Sequence, residues 1–191
     1  MKIIDRLLPI QCYSSARTNY EPRLIKPLGI VLHYFSCIYV KPDNPYDTDL
    51  CWNLFHDLNF NIKDRQYNIY HGKRAGASTH YMIGRDGEIL RLVPDEYQAW
   101  HAGPSSFNGM ANCNEFMFGI ELIGSHNKPF EYAQYESLAW LCYQLMDKYN
   151  IDPDWITRHS DIAPGRKKDP GPSFDMDKML QLIQEVEVYE D

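Results

Sequence analysis

Leu28-Gly29-Ile30-Val31-Leu32-His33-Tyr34 is a short run of large and β-branched apolar residues behind Pro27, and it runs out at a histidine. Such a run, too short for a helix and apolar on both faces, reads as a buried strand. Downstream, Phe116-Met117-Phe118-Gly119-Ile120-Glu121-Leu122-Ile123 repeats the pattern with one carboxylate inside it, and Trp155-Ile156-Thr157-Arg158-His159 is a third strand ending at a histidine. Between them, Tyr81-Met82-Ile83 and Ile89-Leu90-Arg91-Leu92-Val93 flank Arg85-Asp86-Gly87, whose Asp-Gly pair predicts an antiparallel hairpin. Helical spacing appears from Thr48 (Leu50, Cys51, Leu54, Phe55, Leu58) and more strongly from Tyr132 to Tyr149, where Ala133, Leu138, Leu141, Cys142, Leu145 and Met146 recur with a 3.6-residue period. A last helix is expected from around Ser173 to Asp175, and the polar stretch from Asn61 to Ala77 reads as a long exposed loop. Strands and helices mix without strict alternation. That pattern predicts an α/β (α+β) protein with a central mixed sheet flanked by helices, rather than a doubly wound parallel fold.

The bulk numbers bound the partners. A chain of 191 residues, 44% of them hydrophobic, fits one domain over residues 1–191 with a sizeable core. A formal net charge of −7 argues against a nucleic-acid partner, although Lys73-Arg74 and Arg166-Lys167-Lys168 are local basic runs. No stretch approaches the roughly 18–20 apolar residues that cross a bilayer. The opening segment is interrupted by Asp5, Arg6 and Pro9, so no export signal is expected and the expected location is cytoplasmic. Cys12, Cys37, Cys51, Cys113 and Cys142 form neither an even framework nor a CxxC pair, and read as free, mostly buried thiols, with a Cys37–Cys51 bridge left open.

Two strand-end histidines, His33 and His159, are joined by Asp169, ten residues after the second and held in Lys168-Asp169-Pro170-Gly171-Pro172, where two prolines stiffen the turn. Two imidazoles and a carboxylate form a zinc set that leaves the fourth tetrahedral position for water, as hydrolytic sites require. Glu121 in its apolar strand is placed to move protons, since desolvation tunes a carboxylate toward exchanging one with water. Lys167 is a candidate for stabilising an oxyanion. Each has a plainer reading: a strand-end histidine is more often a packed residue than a ligand, Glu121 can sit in an ion pair, and Lys167 can be a solvated loop charge.

Longer strings shift that balance. Ile30-Val31-Leu32-His33, Arg85-Asp86-Gly87-Glu88-Ile89, Ala99-Trp100-His101-Ala102-Gly103, Phe118-Gly119-Ile120-Glu121-Leu122 and the run from His159 through Ser160-Asp161-Ile162-Ala163-Pro164-Gly165-Arg166-Lys167-Lys168 to Asp169-Pro170-Gly171-Pro172 resemble the AmpD-type N-acetylmuramoyl-L-alanine amidases, relatives of the peptidoglycan-recognition proteins. The resemblance covers about residue 28 to the end. It implies one zinc ion (Zn2+) on His33, His159 and Asp169, Glu121 as general base and acid, Lys167 at the oxyanion, and cleavage of the amide between N-acetylmuramic or anhydromuramic acid and L-alanine in peptidoglycan or muropeptides. Trp100, His101, Asn114 and Arg166 lie in motifs that border the family's substrate groove. Tyr34 departs from the Asn that often follows the first zinc histidine in that family, which puts sugar contacts there in question.

Two kinds of enzyme fit this pattern: a recycling enzyme acting on small anhydromuramyl peptides and a phage lysin attacking intact wall. A non-catalytic recognition module that binds muropeptides is the alternative from another class, and such modules typically lose a ligand. The sequence is silent on oligomeric state and on the preferred stem peptide.

Overall fold

The computed structural model describes residues 1–8, 18–38, 41–56 and 77–190. Residues 61–76 of the loop expected from Asn61 to Ala77, with the Lys73-Arg74 pair, and Cys12 lie outside the described residues.

Along the chain the elements are β1 (Ile3–Asp5), β2 (Tyr20–Pro22), β3 (Gly29–Phe35), α1 (Thr48–His56), β4 (Tyr81–Ile83), β5 (Ile89–Arg91), β6 (Tyr97–Ala99), β7 (Ser106–Phe107), β8 (Met110–Ala111), β9 (Met117–Ile123), α2 (Tyr132–Tyr149), β10 (Ile156–Arg158), α3 (His159–Ile162) and α4 (Met176–Glu190). Among the described residues the main sheet has six strands in the order β1-β5-β4-β9-β3-β10. All neighbours are parallel except β4 and β5, the hairpin announced by Asp86-Gly87. Gly87 sits at φ 87°, where a side chain is strained, and its N–H closes the turn onto the Gly84 carbonyl at 3.0 Å.

The alternation of side chains divides the sheet into two unlike faces. Ile30 and Leu32 of β3, Phe118, Ile120 and Leu122 of β9 and Tyr81 and Ile83 of β4 bury themselves against Leu138, Ala139, Leu141, Cys142 and Leu145 of α2 and Met179 and Ile183 of α4. The opposite face carries Val31, His33, Met117, Gly119, Glu121 and Met82. It is covered by shorter segments that bring Ala99, Ala102, Cys113, Ile162 and Ala163 against it. With both faces covered, β3 and β9 read as continuous apolar runs rather than alternating ones.

Gln134 fastens α2 to the sheet: its Oε1 accepts from the Glu131 N–H, completing a capping box, and its Nε2 donates to the carbonyls of Ile83 and Ile123 at 3.3 and 3.1 Å. Asp175 caps α4, accepting from the Lys178 N–H at 2.9 Å.

Three boundaries differ from expectation. β3 continues two residues past His33, because Tyr34 and Phe35 still pair with Leu122 and Ile123. β10 stops at Arg158, and His159 opens the single turn of α3, where the Ala163 N–H reaches the His159 carbonyl at 3.1 Å. α4 starts at Met176, just after its cap. Cys37, Cys51, Cys113 and Cys142 are buried free thiols.

Candidate metal centre and its surroundings

The register of the parallel strands assembles the centre. His33 pairs with Glu121 across β3 and β9, so the two side chains emerge from the same face as neighbours. On the other side of β3, Val31 and Leu32 pair with Thr157 and Arg158 of β10. The next residues in that ladder are His33 and His159. Although His159 turns helical instead of continuing the strand, its ring arrives beside the first histidine, with centroids 4.4 Å apart. Asp169 is returned to the same place by a loop that closes on itself, the Ser160 N–H donating to the Asp169 carbonyl at 3.0 Å.

Three donor atoms meet there. Nδ1 of His33 and Nδ1 of His159 are 2.9 Å apart, and Oδ2 of Asp169 lies 3.0 Å from the first and 2.8 Å from the second. Both imidazoles are almost wholly buried, at 1% and 2% exposure. Burial lowers His33 to about 4, against the opposing pull of Asp169, so the ring is neutral at pH 7. Burial would raise the Asp169 carboxyl, but hydrogen bonding to His159 and His33 outweighs it and holds the group below the usual carboxylate range.

The partners on the far side of each ring locate the protons. Nε2 of His159 is 3.0 Å from the Ala102 carbonyl, which can only accept, so that nitrogen carries a proton and Nδ1 is the ring nitrogen turned toward His33 and Asp169. Nε2 of His101 is 3.3 Å from the Met117 carbonyl and by the same rule donates. Burial holds His101 well below the ordinary histidine range, so its Nδ1 is bare and accepts from Nε2 of His33 at 3.0 Å. With each Nε2 turned to an acceptor elsewhere, the Nδ1 atoms of His33 and His159 face the Asp169 oxygen, and a cation among the three would take the place of the protons that otherwise join them.

The spacing fits a small ion. Bonds of about 2.0–2.1 Å at tetrahedral angles place donors about 3.3 Å apart, and the observed triangle is only slightly tighter. A nitrogen-rich set is also wrong for Ca²⁺, which takes six or more oxygens. His33, His159 and Asp169 are the one group of this kind among the described residues.

The other expected residues surround this triangle in unequal ways. Glu121 is buried at 8% exposure beside His33. The positive charge of Lys167 is near enough to disfavour protonation of His33. Trp100, His101, Asn114 and Arg166 are engaged in holding one loop. Trp100 Nε1 donates to the Thr18 carbonyl at 2.7 Å, Asn114 Oδ1 accepts from the N–H groups of His101 and Ala102 at 3.1 and 2.8 Å, and Arg166 donates to the carbonyls of Ala102 and Pro104, both at 2.6 Å.

Sequence reading missed the contributions of the main chain, since the Ala102 and Met117 carbonyls carry no signature in residue identity. It gave no role to Arg23, which crosses from beyond β2 to donate to the same Met117 carbonyl at 3.2 Å, while His80, read as structural or exposed and not as a ligand, is buried with its Nδ1 accepting from the Gly119 N–H at 2.9 Å.

The family model described as N-acetylmuramoyl-L-alanine amidase, Amidase_2, matches residues 25–172, a span that holds all three donors. The chain belongs to this amidase family. AmpD of Enterobacter cloacae, a 1,6-anhydro-N-acetylmuramyl-L-alanine amidase, is 48% identical over 106 residues, 56% of this chain and 57% of that protein. AmpD of Escherichia coli K12 is 45% identical over 107 residues, 56% and 58% of the two chains. The amidase-family chain thus spans a little over half the length of the curated relatives it matches.

Solved structures match more of it. A crystal structure of a selenomethionine AmpD derivative aligns over 94% of this chain and 93% of that one, with 34% identity and a TM-score of 0.78. AmiD of E. coli, solved in complex with the substrate anhydro-N-acetylmuramic acid-L-Ala-D-gamma-Glu-L-Lys, aligns over 86% and 61% with 28% identity and a TM-score of 0.59. The mixed sheet flanked by helices, which the strand pattern predicted, is thus the architecture that the resemblance to these amidases implied.

Proposed function

We propose that this chain is one zinc-dependent amidase domain that hydrolyses the bond between N-acetylmuramic or anhydro-N-acetylmuramic acid and L-alanine, with small anhydromuramyl peptides as the substrate class. The convergence of Nδ1 of His33, Nδ1 of His159 and Oδ2 of Asp169 within hydrogen-bonding distance of one another carries this reading. The AmpD relatives suggest the substrate class, because they are 1,6-anhydro-N-acetylmuramyl-L-alanine amidases.

His33, His159 and Asp169 would hold the ion. When bound, zinc lowers the pKa of a water toward about 7 and polarises a carbonyl. Glu121, next to His33 on the same sheet face, takes the proton from the attacking water and delivers it to the nitrogen of the departing alanine. The lactyl carbon gains the hydroxyl, the C–N bond breaks, and a muramic carboxylate and a free peptide amine leave. Lys167 offers its ammonium to the carbonyl oxygen as charge collects there. Trp100, His101, Asn114 and Arg166 border the substrate on the loop that their own bonds hold in place.

The test is hydrolysis of a defined anhydromuramyl-tripeptide, followed by mass detection of released peptide in metal-loaded, chelated and Glu121→Gln protein. Release that needs the metal and falls by about 10²–10⁴-fold in the variant supports the assignment. Binding of the muropeptide by metal-loaded wild type with no release overturns it and leaves a recognition module. Faster release from intact wall than from the anhydro fragment overturns the recycling substrate and favours a lysin.

A further inference from the structure

We infer that His101 is a positioning residue for the metal centre: it fixes which nitrogen of His33 faces the ion, and through its own loop it ties the two ligand imidazoles together. The inference rests on the metal-site reading above and assigns to His101 a role beyond bordering the substrate.

A row of donors and acceptors runs inward from the centre. The Met117 carbonyl accepts from His101 Nε2, and His101 Nδ1 accepts from His33 Nε2, at 3.3 and 3.0 Å. The two rings meet edge to face, with centroids 5.1 Å apart and planes at 80°. An imidazole that offers Nδ1 to a metal must keep its proton on Nε2, and inside a protein that proton needs an acceptor. His101 provides it for the ring of His33, which is 1% exposed.

The sheet leaves room for this arrangement at one place. A Cβ on Gly119 would stand 2.4 Å from Cγ of His101 and 2.8 Å from its Nδ1. The ring therefore lies directly on the β9 backbone.

The same short segment serves the other ligand by its main chain. Directly after His101, the Ala102 carbonyl takes the Nε2 proton of His159 at 3.0 Å and the Arg166 guanidinium at 2.6 Å. Asn114 Oδ1 anchors both residues by their N–H groups. Residues 101 and 102 thus form a bracket in which one ligand is aimed through a side chain and the other through a carbonyl.

The experiment measures zinc affinity by competition with a chromophoric chelator, and coordination geometry by the visible absorption of the Co²⁺-substituted protein. It uses wild type, His101→Phe and His101→Asn. Phe keeps a ring and removes the acceptor, whereas Asn keeps an oxygen near the Nδ1 position. Loss of an outer partner typically costs 10–100-fold in metal affinity. We expect about that loss and an altered cobalt spectrum in His101→Phe, with His101→Asn within about threefold of wild type and all three metal-free proteins folded by circular dichroism.

Wild-type affinity in the Phe variant overturns the inference while leaving the metal-site reading intact. An equal loss in Asn and Phe also overturns it, since ring packing rather than an acceptor would then be what His33 needs. His101→Asn decides alone if the Phe ring prevents folding. A wild type that takes up no zinc overturns both this inference and the metal-site reading.

Discussion

At the residue scale the centre depends on what is left out as much as on what is present. Gly119 has no side chain, and the ring of His101 occupies the space where one would be. In Gly119→Ala the methyl meets a ring that is itself held by the Met117 carbonyl and by His33, so neither side yields cheaply. Overpacking of this kind costs about 1–3 kcal/mol, to be read as a lower urea midpoint with an unchanged slope. The side chains proposed for the chemistry were legible in the sequence because His33, Glu121, His159 and Asp169 stand out against apolar or proline-stiffened surroundings. The Ala102 and Met117 carbonyls, on which both ring orientations depend, were not, because every residue has a carbonyl and only folding chooses among them.

Among the elements, legibility followed length and punctuation. The eighteen residues of α2 show their period, and the β4–β5 hairpin is announced by Asp86-Gly87. β1, β2, β6, β7 and β8 are two or three residues long, too short for any period, and they went unread. The N-terminal stretch, read as interrupted by charge, is in fact a parallel edge strand, and its Asp5 receives Arg91 Nε from β5 at 2.7 Å. At the end of β10 the sequence gives no sign that His159 leaves the strand. The join between α2 and the sheet supplies the prediction at this scale. Gln134→Leu removes the donor to the Ile83 and Ile123 carbonyls and the acceptor for the Glu131 N–H in a place with no exposure. Leaving buried partners unmade costs about 1–3 kcal/mol, measurable by thermal or urea unfolding.

For the whole molecule, a second polar knot gathers on Asp95. Asp95, 5% exposed, accepts from the hydroxyls of Tyr81 at 2.5 Å and Tyr149 at 2.9 Å and from Lys148 Nζ at 2.9 Å, joining the segment after β5 to the end of α2. Burial alone would raise this carboxyl, but the three donors overcome it and its pKa is lowered. With the folded value below the unfolded one of about 3.9, the unfolded chain binds the extra proton first. The stabilisation is therefore complete above about pH 5 and is lost as pH falls through the folded pKa. Asp95→Asn should cost about 1–3 kcal/mol at pH 7, and the gap from wild type should narrow when unfolding is followed below about pH 4.

The three donors come from far apart in the chain, His33 and His159 being 126 positions apart and His33 and Asp169 136. During synthesis the first imidazole is made long before its companions, and β10 has to dock against β3 before the second is near it. A nascent or truncated chain that stops short of Asp169 can present no complete donor triangle. A complete triangle therefore marks a chain that has been translated past Asp169 and has docked β10 against β3.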